Sequence, residues 1–253
     1  MIGLISLLKE IEGKPKAIFM AGPAGSGKST VSSKLVPSNF KTINVDDTYE
    51  ELLKTSGIGM KLAKMSPDEL KKAGELMGQA RKATDTKYKE ALANANNILI
   101  DSVGGSSKTL LKKKQDLEAL GYDTAMIMTY VSPITSLERN KQRDRSLLPS
   151  IIIRSWRDVN KNIDVYKQAF GNNFILLNLD PENANKEFNE DYIYKTFIEP
   201  LGQVGKEKSP EEKAKSKAES DQIYSDIKQA LKTQPEFDTE EQAKTKITNF
   251  INK

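Results

Sequence analysis

Glycines, a lysine and a serine stand at fixed distances in Gly22-Pro23-Ala24-Gly25-Ser26-Gly27-Lys28-Ser29-Thr30. The spacing G-x-x-x-x-G-K-S suits one task, the holding of a polyphosphate. Glycines let the backbone curl so that its N–H groups converge on phosphate oxygens. Lys28 can reach the β- and γ-phosphates as a point charge, and the Ser29 hydroxyl can ligate Mg²⁺. The whole run from Gly22 to Thr30 is therefore a candidate nucleotide contact, with ATP and Mg²⁺ as the expected ligands.

Carboxylates and arginines further along could complete a phosphoryl-transfer site. Asp46 and Asp47 follow a short apolar stretch, where a general base for an acceptor hydroxyl could stand; the alternative is that they cap the next helix. Asp101 closes Ile98-Leu99-Ile100, a pattern that in nucleotide-binding folds places an acid by the metal. Arg139 and Arg143 are four apart, so on a helix they share a face. With Arg145 nearby, they could close over a triphosphate as a lid or form ion pairs with Glu138 and Asp144 on the surface. The chain has no histidine and no cysteine. That excludes a Ser-His-Asp triad, thiolate chemistry, disulfides and His-ligated metals, and leaves base catalysis to a carboxylate.

These residues need elements to hold them. Ala17–Ala21 reads as a strand entering the glycine loop, and 29–36 as the helix leaving it, ended by Pro37. Further strands are expected at 41–45, running into Asp46, and at 98–101, 125–131 and 174–179. Ser66-Pro67-Asp68-Glu69 is a helix start with its capping box, and apolar spacing carries that helix to residues 94–97. Gly104-Gly105-Ser106-Ser107 turns into another helix that reaches Leu120. Ser132-Pro133 starts a third, and Pro149 a fourth that runs to about Phe170. Strands alternating with helices predict a parallel sheet covered on both faces, with the site at the carboxyl ends of the strands.

The 253 residues carry a net charge of +4, too mild alone to argue for nucleic-acid binding. No apolar run approaches a membrane span, and the first residues lack a signal-peptide pattern, so a cytoplasmic protein without membrane contact is expected. They look instead like a short helix, with Ile2, Ile5, Leu8 and Ile11 at helical spacing. From about Gly202 the chain turns lysine- and acid-rich. Helix starts are legible at Ser209 and at Asp238-Thr239-Glu240-Glu241, with thin apolar stripes of Tyr224, Ile227 and Leu231, then Ala243, Ile247, Phe250 and Ile251. These could dock on the body of the protein, on another copy or on a larger assembly.

Residues 14 to about 180 resemble the P-loop kinases of the polynucleotide 5′-kinase and zeta-toxin type. Ile43-Asn44-Val45-Asp46-Asp47 is similar to the strand end of bacteriophage-type polynucleotide kinases, which implies Asp46 as the base. Asp47-Thr48-Tyr49 is similar to the zeta-toxin pattern, which implies Asp47. Arg139-Asn140-x-x-Arg143 with Pro149-x-Ile151-x-Ile153-Arg154-Ser155 resembles the polynucleotide-kinase lid, and the likeness puts Arg143 on the transferring phosphate. Ile100-Asp101-Ser102 resembles that family's third strand, whose acid and hydroxyl help to bind the acceptor. Thr48-Tyr49-Glu50 departs from it, because the arginine that grips a polynucleotide acceptor is missing.

The resemblance implies an α/β fold, a P-loop NTPase three-layer sandwich with a parallel sheet and a helical lid, to which the sequence adds a C-terminal α-helical extension. The boundaries expected are a kinase domain over 1–202, its lid at about 133–170, and the extension over 203–253. The activity implied is transfer of the ATP γ-phosphate to a hydroxyl, either a polynucleotide 5′ end or a nucleotide-like small molecule. Lys28, Asp46, Asp47, Arg139 and Arg143 are the catalytic candidates, and Ser29 and Asp101 the metal candidates. Two rivals remain: a nucleotide-binding assembly or scaffold protein whose helical tail engages a partner or a second copy, and an ATP hydrolase or motor.

Overall fold

The computed structural model describes residues 13–60, 65–143, 147, 149–181 and 234–253, with short helical stretches between 211 and 232. The helix expected near the N-terminus, the start expected at Ser209, Ile227, Leu231 and Arg145 lie outside the described residues.

Strand β1 (Lys16–Ala21) is buried along its whole length. It lies at the centre of a five-stranded parallel sheet with β2 (Lys41–Ile43), β3 (Ile98–Asp101), β4 (Asp123–Tyr130) and β5 (Phe174–Asn178), in the order β2-β3-β1-β4-β5. Register pairs Met20 with Asp101 on one side and Ala21 with Met128 on the other. Alternate residues of each strand face opposite layers. Ala17, Phe19, Ala21, Ile98, Ile100, Met126, Met128 and Leu176 pack into one core, and Ile18, Met20, Leu99, Ile127, Ile175 and Leu177 into a second.

The first core is closed by α4 (Ser107–Ala119), α6 (Pro149–Asn160) and α7 (Ile163–Phe170), through Leu110, Leu117, Ile152, Trp156, Tyr166 and Phe170. The second is closed by α1 (Lys28–Leu35) and α8 (Glu240–Ile251), through Val31, Ala243, Ile247 and Phe250. So the stripe of the last helix, given three possible docking partners by sequence, sits on the sheet. Thr239 and Gln242 form its capping box. Asp238 stands where a further strand would pair with β5: its N–H donates to Leu176 O, and its carboxylate accepts from Leu176 N–H and the Lys246 ammonium. The edge of β5 is thereby covered without another strand.

Helices α2 (Val45–Thr55) and α3 (Pro67–Ala93) form a hairpin with a core of its own, made by Tyr49, Leu53, Ile58, Ala73, Leu76 and Ala80. Helix α5 (Pro133–Lys141), capped by Ser132, follows β4.

Two expectations are corrected. Strand β2 stops at Ile43 rather than Val45, because Asn44 takes the N-cap and accepts a hydrogen bond from Asp46 N–H. Asp46 and Asp47 are therefore in the first helical turn, where a carboxylate complements the helix dipole. The helix expected from Pro149 to Phe170 breaks at residues 161–162, where Asn162 turns its amide onto the carbonyls of Gly104 and Gly105.

Candidate active site

The glycine loop joins β1 to α1 at the carboxyl end of the sheet. Gly22, Gly25 and Gly27 have φ of 151°, 78° and 84°. At Gly22 the backbone conformation and the space agree: a Cβ there would lie 2.2 Å from Thr129 Oγ1 and 2.8 Å from the Thr129 carbonyl. The Gly22 N–H donates to Val103 O, tying the loop to the segment after β3. Among the described residues no side chain caps α1, whose N-cap is Gly27, so its first turn presents backbone N–H groups of the kind that bind phosphate. The Lys28 ammonium donates to the Gly22 carbonyl at 2.8 Å, and Ser29 and Thr30 are exposed on the first turn.

Helix α5 holds this loop from behind. Ser136 Oγ donates to Ala24 O, and the Arg139 guanidinium donates to Gly25 O at 3.2 Å and Leu179 O at 2.8 Å. Ser26 and Thr129 share a buried hydroxyl–hydroxyl bond of 2.7 Å. Arg139, which the sequence offers to the transition state, is thus engaged with loop carbonyls. Arg143 lies just beyond the end of α5 and is exposed. Asn140 braces the connection to α6 through Leu147, donating to its carbonyl and accepting from its N–H. Within the expected lid, α6 is buried in the sheet core through Ile152, Ile153 and Trp156, while Arg143 is exposed.

The acids meet on the other side of the loop. Asn44 Nδ2 donates to Asp101 Oδ2 at 3.1 Å. Its amide also lowers the proton affinity of the Asp47 carboxyl. Asp101 Oδ1 is buried with no hydrogen-bond partner among the described residues. Burial pushes the Asp101 carboxyl above its ordinary range; Lys28 opposes the rise, and Asp47 and Asp46 add to it. Asp47 is raised as well, by burial and then by Glu50, against the Asn44 amide, with Asp46 adding and Lys87 opposing. Lys28 is lowered by burial, while Asp101 and Asp46 resist and Arg143 reinforces the lowering. Lys28, Asp46, Asp47, Asp101 and Arg143 therefore act on one another in a single electrostatic neighbourhood.

Among the described residues no group of three or more acids could hold a metal ion by itself. The unpartnered oxygen of Asp101 and the Ser29 hydroxyl fit the partial shell of a Mg²⁺ that takes its other ligands from phosphates and water. Sequence reasoning passed over Asn44, Ser136 and Thr129. Asn44 was detectable as an Asx cap directly before an acidic first turn, and Ser136 by its position three residues before Arg139 on the same helix face. Thr129, inside a continuous apolar strand, gave no signal.

A family model described as zeta toxin matches residues 6–175. The crystal structure of AvrRxo1-ORF1:AvrRxo1-ORF2 with sulphate ions is similar, with a TM-score of 0.56 at 13% identity over 91% of this chain and 84% of that one. The same pair with ATP gives 0.55 at 14% identity over 90% and 83%. The PezAT chromosomal toxin–antitoxin system of Streptococcus pneumoniae gives 0.45 at 17% identity over 91% and 92%. No curated protein matches the chain.

Proposed function

This chain belongs to the zeta toxin family and is a P-loop phosphotransferase; we propose that it moves the γ-phosphate of ATP to a hydroxyl of a small nucleotide-like acceptor such as a nucleotide sugar. The observation that supports this best is the shared neighbourhood of Lys28, the α2 carboxylates, Asp101 and Arg143 beside the glycine loop. It contains a phosphate anchor, a base and a charge stabiliser, the parts that phosphoryl transfer requires.

In this reading the loop N–H groups and Lys28 hold the β- and γ-phosphates. Ser29 and Asp101 would hold Mg²⁺, which supplies neutralisation of charge on the phosphate oxygens. Asp47 accepts the proton of the acceptor hydroxyl; its raised proton affinity suits a base better than that of an unperturbed aspartate. The family pattern of an acid before Thr48-Tyr49 supports the same residue. Asp46, whose field acts on Lys28, helps to keep the lysine charged. Arg143 faces the charge that develops on the transferring phosphoryl group.

Glu50 supports a small acceptor over a nucleic-acid 5′ end. It stands one turn from Asp47 in the stretch where a polynucleotide kinase grips its polyanionic acceptor with arginine, and its charge bears on Asp47. A scaffold role finds less support, because the stripe of Ala243, Ile247 and Phe250 that it would use is buried on the sheet. The likeness to AvrRxo1-ORF1, solved together with AvrRxo1-ORF2, supports adding a protein partner to the proposal. Among the described residues no helix is long and apolar enough to cross a membrane.

The test is transfer of labelled γ-phosphate from ATP, with Mg²⁺, to a panel of nucleotide sugars, nucleosides and a 5′-hydroxyl oligonucleotide. Label on a nucleotide sugar or nucleoside is the expected result. Label on the oligonucleotide alone overturns the acceptor assignment, and label on nothing overturns the activity.

A further inference from the structure

Asn44 is a short side chain whose amide oxygen and amide nitrogen both work at the site. Its Oδ1 accepts from Asp46 N–H at 2.8 Å, which starts α2. Its Nδ2 donates to Asp101 Oδ2 at 3.1 Å, across from β2 to the end of β3. The same amide lowers the proton affinity of the Asp47 carboxyl. An amide has two N–H donors and one carbonyl acceptor, and no charged side chain offers both. A carboxylate here could cap the helix but could not donate to Asp101. A serine could cap it too, but a single short hydroxyl cannot cap the helix and reach Asp101 at once.

We propose that Asn44 is a positioning residue for phosphoryl transfer: its amide N–H holds Asp101 while its carbonyl starts the helix that carries Asp47, so one side chain sets where the two acids stand. This rests on the kinase reading above and goes beyond it, because neither the loop motif nor the acid pair assigns a role to residue 44. The need is physical. Asp46, Asp47, Glu50 and Asp101 repel one another, and Lys28 and Lys87 oppose that repulsion from the loop and from α3. Without the bond from Asn44 to Asp101, the start of α2 and the end of β3 would relax apart, and a base displaced by about 1 Å costs on the order of 10²-fold in rate.

Asn44→Ser and Asn44→Asp separate positioning from capping. Both keep the cap; Asn44→Ser loses only the bond to Asp101 and should melt within roughly 5 °C of wild type, whereas Asn44→Asp adds a carboxylate to the acids and should melt lower. Transfer of γ-phosphate from ATP, to the best acceptor of the panel or to water, should fall roughly 10- to 100-fold in kcat while the KM for ATP stays within about 3-fold. In an Asp101→Asn background, the further loss from Asn44→Ser should shrink to less than about 3-fold, because the two residues act as a unit.

Wild-type kcat in both single variants overturns the proposal and leaves the kinase reading standing, with Asn44 a cap only. A rise in KM for ATP equal to the loss in kcat/KM, with kcat unchanged, also overturns it. If a variant melts well below wild type, Asn44→Thr provides the same comparison with a cap retained. If the wild-type chain releases no phosphate from ATP to any acceptor or to water, the kinase reading fails and this inference fails with it.

Discussion

Arg139 donates a hydrogen bond to the carbonyl of Gly25 at 3.2 Å, and its second guanidinium nitrogen reaches Leu179 O at 2.8 Å. An arginine that the sequence offers to the reacting phosphate instead locks the phosphate-binding loop to α5 and to the chain after β5. Arg143, four residues on, is exposed beyond the helix.

The two arginines should therefore fail differently. Arg139→Ala removes charge-assisted bonds to two carbonyls and should cost about 2 kcal/mol of stability, with weaker ATP binding because the loop loosens. Arg143→Ala should leave melting and ATP affinity near wild type and lower turnover by about 10³-fold or more. Thermal melts, nucleotide titrations and kcat on the pair distinguish them; the reverse pattern would exchange the two roles.

Gly22→Ala should not be tolerated. Its Cβ would lie 2.2 Å from Thr129 Oγ1 and 2.8 Å from the Thr129 carbonyl, at a φ of 151°. A buried strand backbone cannot withdraw, so a loss of about 1–3 kcal/mol or more is expected. Urea unfolding measures it, and ATP binding should fall in the same variant.

Asp101 should cost stability at neutral pH. Burial raises its carboxyl above the ordinary range, so between the unfolded value and the folded one the native state holds a proton that the unfolded chain has released. Stability from this group is full below the unfolded value, near pH 4, and is lost as pH rises through the folded value. Asp101→Asn should therefore melt higher than wild type at pH 7–8, with the difference vanishing towards pH 4, while turnover falls. Melting curves across that range check the sign.

Phe250 should matter as much as a sheet residue. It is buried with Ile18, Ile127 and Ile175, and the Lys16 ammonium sits 5.5 Å from its ring centroid. Phe250→Ala should cost about 3–5 kcal/mol, measured by urea unfolding; a surface appendage would lose almost nothing.

Much of this architecture could be read from the chain. Ser66 to Glu69 is a capping box, which depends on contacts within a few residues, and Ile98-Leu99-Ile100-Asp101 is a strand that ends on its acid, legible from its unbroken apolar run although its partners β1 and β2 lie far away in the chain. Strand β2 was overextended because Val45 has high β-propensity, while the cap formed by Asn44 is decided by a single hydrogen bond. The place of α8 could not be read locally. Ala243, Ile247 and Phe250 mark an amphipathic helix, but only tertiary packing says that its face meets Ile175 and Leu177. The same holds for Arg139, since its type and spacing suit a phosphate or a carbonyl equally well.

The most direct measurement is the rate of γ-phosphate transfer by Asp47→Asn beside Asp46→Asn, with ATP affinity measured in each. Asp47→Asn should bind ATP within about 3-fold of wild type and transfer about 10²- to 10⁴-fold more slowly, with a much smaller loss in Asp46→Asn. Wild-type transfer by Asp47→Asn, with the loss falling on Asp46→Asn, would contradict Asp47 as the base.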